Sequence, residues 1–271
     1  MAWLRFRWVY CQLDALCRCF PPSIRRALNE LPDTLGDTYE RTLEGIPKQK
    51  RQHAHRLFQC LVAAIRPLRV KELTEVLTIE FDADGSYKLV EDWRPENPEE
   101  AVLSACSTLI SVVNDGDSKF VQFSHFSVKE FLTSDRFRTS DIRNDFHYYI
   151  RLDDAHTILA RARLTVLLQP DKTTDKKRLT RFPLAFYAAH HWVDRSKLGD
   201  VASRIQDAME HLFEPRKPYL GSWIWIYDAE HEIKYPFVIG EHPSPPGATP
   251  LYYAAFCGNR QNTSLSLTER T

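Results

Sequence analysis

Apolar residues recur through most of this chain at the spacing of three or four positions that marks one face of an α-helix. The stripe Leu57, Leu61 and Ile65 is one example, and prolines such as Pro21 and Pro170 end such runs because proline cannot continue a helix. The chain is therefore predicted to be mainly α. The predicted helices cover residues 8–20, 23–31, 33–46, 48–65, 71–77, 98–107, 128–132, 153–168, 183–193 and 202–212, and one aromatic helix falls within 214–248.

Strand-forming residues cluster at one place in the sequence. Residues 109–113 and 119–123 flank the turn Asn114-Asp115-Gly116-Asp117, which predicts a β-hairpin. Three helices, a hairpin and a further helix predict a winged-helix domain with the hairpin as its wing. A helical bundle and one incomplete ankyrin unit are expected to follow.

Three local signals refine this prediction. Asp33 is the expected N-cap of helix 33–46, and Ser127 with Glu130 three residues later is expected to form a capping box. Residues 67–70 are predicted to be a short extended link. Residues 82–95 are predicted to be an exposed polar loop because they contain the turn signal Asp84-Gly85 and few apolar residues.

Charge and cysteine content narrow the classes of function. Lys plus Arg equals Asp plus Glu, 36 against 36, so the whole chain lacks a field that attracts nucleic acid or anionic lipid, although a local patch remains open. Apolar runs are shorter than the roughly 20 residues of a membrane span. The first residues lack the pattern of a signal peptide, and a cytoplasmic location with reduced thiols is expected. The cysteines are Cys11, Cys17, Cys19, Cys60, Cys106 and Cys257.

Four segments, taken in order, resemble fungal signalling ATPases in which a NACHT nucleotide-binding domain precedes a winged helix and ankyrin repeats. FRWVYCQLDAL at 6–16 looks like the end of the ATPase domain, and LPDTLGDTYER at 31–41 looks like its linker helix. FSHFSVKEFL at 123–132 is similar to a winged-helix motif labelled after an inositol deacylase. GATPLYYAAFCGN at 247–259 is close to the opening of an ankyrin repeat.

The ankyrin resemblance implies an interaction surface near the end of the sequence. Thr249 and Pro250 would form the turn that starts the first ankyrin helix, and Leu251, Ala254 and Ala255 would pack on a neighbouring repeat. Tyr252 replaces the histidine of the usual ankyrin pattern. Residues 260–271 lack the leucine-rich second helix, so the unit is incomplete.

Motifs that would carry catalysis are missing from the sequence. There is no G-x-x-x-x-G-K-[ST] phosphate loop and no G-x-S-x-G nucleophile elbow, and we therefore expect no enzyme activity. Ser124, His125 and Asp135 could be imagined as a triad, but a serine beside a histidine at a strand end is common. The spacing of the first three cysteines fits no zinc ligand set, and neither metal nor cofactor is expected.

His125 is the candidate site residue, at the junction between the wing and the next helix. In the signalling ATPases that this chain resembles, a histidine at the matching position contacts the β-phosphate of ADP, which implies an ADP-sensing role for His125 in a full-length parent. The aspartate that usually follows that histidine is Phe126 here. The alternative is a strand-end histidine that packs against a helix cap.

The domain hypothesis has four parts: residues 1–47 as the last helices of an NTPase domain with linker helices, 48–138 as the winged helix, 139–235 as a helical domain, and 236–271 as a linker and partial ankyrin repeat. The expected function is a non-catalytic regulatory scaffold with protein partners.

Two alternatives to this hypothesis stay open. A winged-helix DNA-binding regulator is disfavoured because helix 98–107 carries Glu99 and Glu100 and no basic residue. The other is a degenerate gene-model fragment.

Overall fold

The computed structural model describes residues 2–17, 19–81, 87–135, 148–194, 200–227, 242–243 and 246–257, and side chains throughout these ranges except residues 2–5, 7, 14, 15 and 106. The predicted turn Asp84-Gly85 and the ankyrin-like residues Gly258 and Asn259 lie outside the described residues. Three strands form the largest sheet in the described ranges, and helices form most of the remainder. The prediction of a mainly α chain is confirmed.

Three helices precede the winged helix: α1 (Ala2–Cys17), α2 (Ile24–Asn29) and α3 (Leu35–Glu44). The side chains of Trp8 and Gln12 on α1 donate to Pro32 O, over 3.0 and 3.4 Å, and Gln12 also donates to Thr38 over 2.9 Å. These bonds fix α1 against the start of α3. The prediction that Asp33 caps α3 is wrong, because Thr34 and Asp37 form a capping box there.

The winged helix has the order helix, strand, helix, helix, strand, strand. Its elements are α4 (Lys48–Ala63), β1 (Leu68–Arg69), α5 (Val70–Glu75), α6 (Pro98–Cys106), β4 (Ile110–Asp115) and β5 (Ser118–Phe123), and α7 (Phe126–Leu132) follows. The predicted wing is confirmed: β4 and β5 are antiparallel with Val112 opposite Val121. Gly116 in the turn has φ +55°, a left-handed conformation that favours glycine.

Two parts of this domain differ from the prediction. The segment predicted as an extended link contains β1, which pairs antiparallel with β5 and makes the wing a three-stranded sheet, with Leu68 opposite Val121. Part of the predicted polar loop is the strand β3 (Tyr87–Leu89), which forms a second hairpin with β2 (Ile79–Phe81) just before that loop. Ile79 is fully buried and Leu89 is 8% exposed, so this hairpin belongs to the core instead of standing free as a loop.

The helical region contains α8 (Leu152–Leu167), the short α9 (Lys176–Leu179), α10 (Ala185–His191), α11 (Val201–Leu212) and α12 (Tyr219–Ile226). Helix α8 is its centre, because it packs against α10, α11 and α12 and also against α4 of the winged helix. Trp192 and Trp223 meet edge to face with ring centroids 5.5 Å apart. One hydrophobic core therefore runs from Cys11 on α1 through the winged helix and the helical region to Cys257.

A last helical segment, α13, covers residues 250–257. Thr249 Oγ1 accepts a hydrogen bond from Tyr252 N over 3.3 Å, which caps the start of this helix. Tyr253 is buried and its ring meets that of Trp223 edge to face, with centroids 6.2 Å apart. This contact attaches α13 to α12.

Candidate functional site

The N-cap of α7 is His125, the residue that the sequence singled out. Its backbone is extended, with φ −158° and ψ 147°, and its Nδ1 accepts a hydrogen bond from Ser127 N over 3.3 Å. Nδ1 also lies 2.6 Å from Ser127 Oγ. The neutral imidazole with a lone pair on Nδ1 satisfies both contacts, so the cap fixes the orientation of the ring.

The predicted capping box of Ser127 and Glu130 is wrong. Helix α7 begins one residue before Ser127, at Phe126, so Ser127 lies in its first turn and its hydroxyl points to His125 and Tyr39. The sequence suggested Ser127 because serine is a more common N-cap than histidine. His125 is the N-cap instead, because it is the last residue with an extended backbone before the helix begins.

Ser127 connects His125 to the helix that precedes the winged helix. Its Oγ lies 2.8 Å from the hydroxyl oxygen of Tyr39 on α3, and Tyr39 and Ser127 are 1% and 6% exposed. The ring of Tyr39 also packs against Phe131 on α7, with centroids 5.3 Å apart. A buried line of hydrogen bonds therefore runs from the half-buried His125 to α3, a connection that sequence spacing does not reveal.

A second set of polar contacts joins the winged helix to the helical region around Tyr187 on α10. The Tyr187 hydroxyl lies 3.2 Å from Ile65 N and 2.9 Å from Arg163 Nη2, and both nitrogens donate to it. The guanidinium groups of Arg66 and Arg163 lie over its ring, 4.6 and 4.8 Å from the centroid. Arg163, only 3% exposed, also donates to His191 O. Tyr187 thus binds residues from both parts of the molecule.

Glu75 on α5 is a buried acid of this junction. One carboxylate oxygen accepts from Leu184 N over 2.6 Å, and the other accepts from Arg94 Nη2 over 3.0 Å. Burial raises the pKa of Glu75 to about 7, against the opposing effects of the Leu184 hydrogen bond and the Arg94 charge. Sequence reasoning missed Glu75 because its partner Leu184 lies 109 residues away.

The remaining predicted residues are placed as follows. The Ser124 hydroxyl donates to Thr108 O over 2.9 Å, which joins the end of β5 to the start of the wing. On α13, Leu251 is 79% exposed, and Ala254 and Ala255 are exposed as well. The ankyrin-like residues Leu251, Ala254 and Ala255 therefore face outward, and the same helix packs on α12 through Tyr253.

A cleft of about 500 Å³ lies between α1–α3 and α6. Its lining includes Gln12, Arg41, Leu103 and Ser104 and does not include His125. The cleft is therefore distinct from the His125 junction. Within the described ranges, no cluster of three His, Cys, Asp or Glu side chains is arranged to hold a metal ion, and none of the helices combines the length and the hydrophobicity of a bilayer-spanning segment.

Comparison with known proteins identifies the domain that holds His125. Residues 39–147 match the family model described as "GPI inositol-deacylase, winged helix domain". The chain contains a winged-helix domain of that type. The match includes Tyr39, so the α3 contact with Ser127 falls within the family's boundaries.

A curated relative extends the similarity beyond the winged helix. The chain is 26% identical over 242 residues to "Azaphilone pigments biosynthesis cluster protein L" of the fungus Monascus ruber. The aligned region covers 85% of this chain and 50% of the relative, so the chain spans about half the length of that protein. No solved structure matches.

We predict that His125→Ala lowers the free energy of unfolding by about 1 kcal/mol, because it removes the N-cap acceptor of α7. His125→Asn keeps a good capping side chain and should retain most of the stability. Urea unfolding followed by circular dichroism measures both changes. Glu130→Ala is the matched control: the exposed Glu130 has no capping role here, so it should change stability by less than about 0.5 kcal/mol. A large loss in Glu130→Ala with none in His125→Ala would restore the capping box of the sequence prediction.

Glu75 should make stability fall as pH rises. Its pKa in the folded protein is about 7, above the ordinary value of 4.5, so the folded state binds more protons between these values and its stability declines through this window as the proton is lost. The decline attributable to Glu75 should be at most about 3 kcal/mol.

Glu75→Gln stays neutral and should flatten this part of the profile of melting temperature between about pH 5 and 8. The exposed Glu210→Gln is the control, and its profile should follow that of the wild type. A Glu75→Gln profile parallel to the wild type would show that Glu75 does not titrate in this range.

Proposed function

We propose that this region is a non-catalytic regulatory scaffold of a NACHT and ankyrin-repeat signalling protein, acting through intramolecular and protein contacts in the cytoplasm. The proposal rests on the position of the winged helix between two buried polar junctions. Tyr39 and Ser127 join it to the preceding helix, and Glu75 joins it to the helical region. A change in the position of α3 or of the helical region would therefore act directly on the winged helix.

The surface of the winged helix favours protein contacts over DNA. Helix α6, which occupies the position of a recognition helix, has Glu99 and Glu100 in its first turn. Three of the four arginines that could supply positive charge elsewhere are engaged: Arg51 donates to Ile46 O and Glu44 O, Arg56 donates to Ile79 O, and Arg66 binds Glu72 in a bidentate pair. The fourth, Arg69, is exposed. Phosphate binding at the first three would have to disrupt these contacts.

The outward face of α13 supports attachment to an ankyrin array. Leu251, Ala254 and Ala255 are exposed, and they are the positions through which an ankyrin helix packs on its neighbour in the family that the chain resembles. The opposite face is held to the helical region by Tyr253. In this proposal α13 joins the scaffold to the repeats of a longer protein.

His125 is the residue proposed to sense nucleotide in such a protein. Because Nδ1 is engaged by Ser127, a hydrogen bond to an ADP phosphate would come from Nε2. The buried contact between Ser127 and Tyr39 would pass the state of His125 to α3.

The test uses a longer protein in which a phosphate loop precedes this region, found by reading the genomic sequence on both sides. His125→Ala should lower ADP retention after desalting by roughly 10-fold to 100-fold, the worth of one hydrogen bond to a charged group. Glu130→Ala, exposed on the same helix, controls for disturbance of α7. Unchanged retention in His125→Ala would remove the sensor role. ATP hydrolysis by the present region alone would contradict the non-catalytic scaffold itself.

A further inference from the structure

Basic residues form most of the short helix α9 in the helical region. Lys176, Lys177 and Arg178 are all exposed, and the residue after them, Leu179, is buried. Thr180 is the C-cap of this helix and is exposed. Its hydroxyl donates to Lys177 O over 2.7 Å and has no other partner among the described residues. A threonine hydroxyl at the surface therefore lies two residues after a run of positive charge.

The residue after Thr180 joins the helical region to the winged helix. Arg181 Nη2 donates to Glu91 Oε2, in a short turn that follows β3. The same oxygen accepts from Arg94 Nη1 over 3.2 Å, and Arg94 Nη2 donates to the buried Glu75 over 3.0 Å. Thr180 is thus adjacent to one end of a line of charged groups that crosses the junction.

We propose that Thr180 is a phosphorylation site for a protein kinase that selects basic residues before its acceptor. Acidic side chains of such a kinase would bind Lys177 and Arg178, which lie three and two positions before the hydroxyl. The bond between the γ-phosphorus of ATP and its bridging oxygen breaks as Thr180 Oγ1 bonds to that phosphorus, ADP leaves, and the hydroxyl proton passes to the kinase. This inference goes beyond the proposed scaffold function and does not rest on it.

Local opening of α9 gives a kinase access to this site. A kinase binds the residues around its acceptor in an extended conformation, so residues 177–181 have to leave their present turn. The helix has four residues, and Leu179 is the side chain of α9 that would leave the core. Opening here therefore costs much less than opening of α8, which has 16 residues and a long buried face.

A phosphate on Thr180 would change the pairing of Arg181. At neutral pH the group carries a charge of about −1.5 to −2, and a neighbouring arginine binds it through charge-assisted hydrogen bonds. The side chains of Arg181 and Glu91 are 59% and 40% exposed, so their ion pair is weak enough to be displaced. Glu91 would then keep Arg94 alone among its described partners. Phosphorylation is expected to loosen the helical region from the winged helix.

Incubation with Mg²⁺, ATP and the catalytic subunit of the cAMP-dependent protein kinase tests the site, and mass spectrometry locates the phosphate. We expect phosphate at Thr180 and none at this position in Thr180→Val, which keeps the branched side chain without the hydroxyl. Lys177→Ala with Arg178→Ala should slow incorporation at least about tenfold, because the kinase loses the charges that it binds. Arg216→Ala with Lys217→Ala, an exposed basic pair after α11, is the matched control and should leave the rate unchanged.

Hydrogen exchange of the Leu184 amide measures the effect on the junction, because this N–H donates to Glu75. Phosphorylation of Thr180 should raise its exchange rate about threefold to tenfold, and the rate of the buried Val128 amide on α7 should not change. Glu91→Ala should give a similar increase without phosphate, and phosphorylation of that variant should add little. Circular dichroism confirms that each variant is folded.

Four results would overturn the proposal. Absence of phosphate at Thr180, or phosphate confined to another basic stretch such as Arg136-Phe137-Arg138-Thr139, would remove the site. Unchanged exchange of Leu184 in fully phosphorylated protein would remove the effect on the junction. The same acceleration by phosphate in Glu91→Ala as in the wild type would show that the phosphate does not act through the pair of Arg181 and Glu91.

Discussion

The packing of helix α4 is the constraint on which the rest of the structure depends. Leu57, Phe58 and Cys60 are fully buried, and α4 contacts both the winged-helix elements and α8 of the helical region. The ring of Phe58 lies 6.2 Å from that of Phe123 at the end of the wing and 6.4 Å from that of Tyr148 before α8. A single helix therefore supplies core residues to two parts of the molecule, which would each expose a large apolar surface if separated.

Polar contacts fix the relative orientation of these packed parts. Hydrophobic burial is non-directional, whereas the bonds of Glu75 with Leu184 N and of Tyr187 with Ile65 N hold only at one relative position of the two parts. On the other side of the winged helix, Tyr39 and Ser127 do the same for α3. The domain is thus fixed at both ends, and the proposed scaffold role rests on this geometry.

The sequence predicted the elements whose signals are local. Apolar stripes such as that of α4 predicted the main helices, and the turn at Gly116 predicted the wing. The strand β1 was missed because two residues cannot show a period of two, and its identity as a strand depends on Val121, 53 positions later. Cap positions were wrong by one or two residues at α3 and α7, where Thr34 and His125 take the place of the expected side chains.

The candidate site was predictable only in part. His125 was found through a family motif, and its half-buried position at the wing is consistent with that motif. The residues that connect His125 to α3 were not found, because Tyr39 lies 88 positions from Ser127. Glu75, at the other junction, was missed because its partner Leu184 lies 109 positions away. Buried polar pairs between distant segments leave no periodic signal, so only the fold reveals them.

Native-state hydrogen exchange measures most directly whether the winged helix and the helical region act as one unit. The amides of Leu73 on α5 and Leu164 on α8, both fully buried, should exchange through the same global opening, with free energies that agree within about 1 kcal/mol. Exchange of one of these helices through a separate opening of much lower free energy would contradict a scaffold held together by α4.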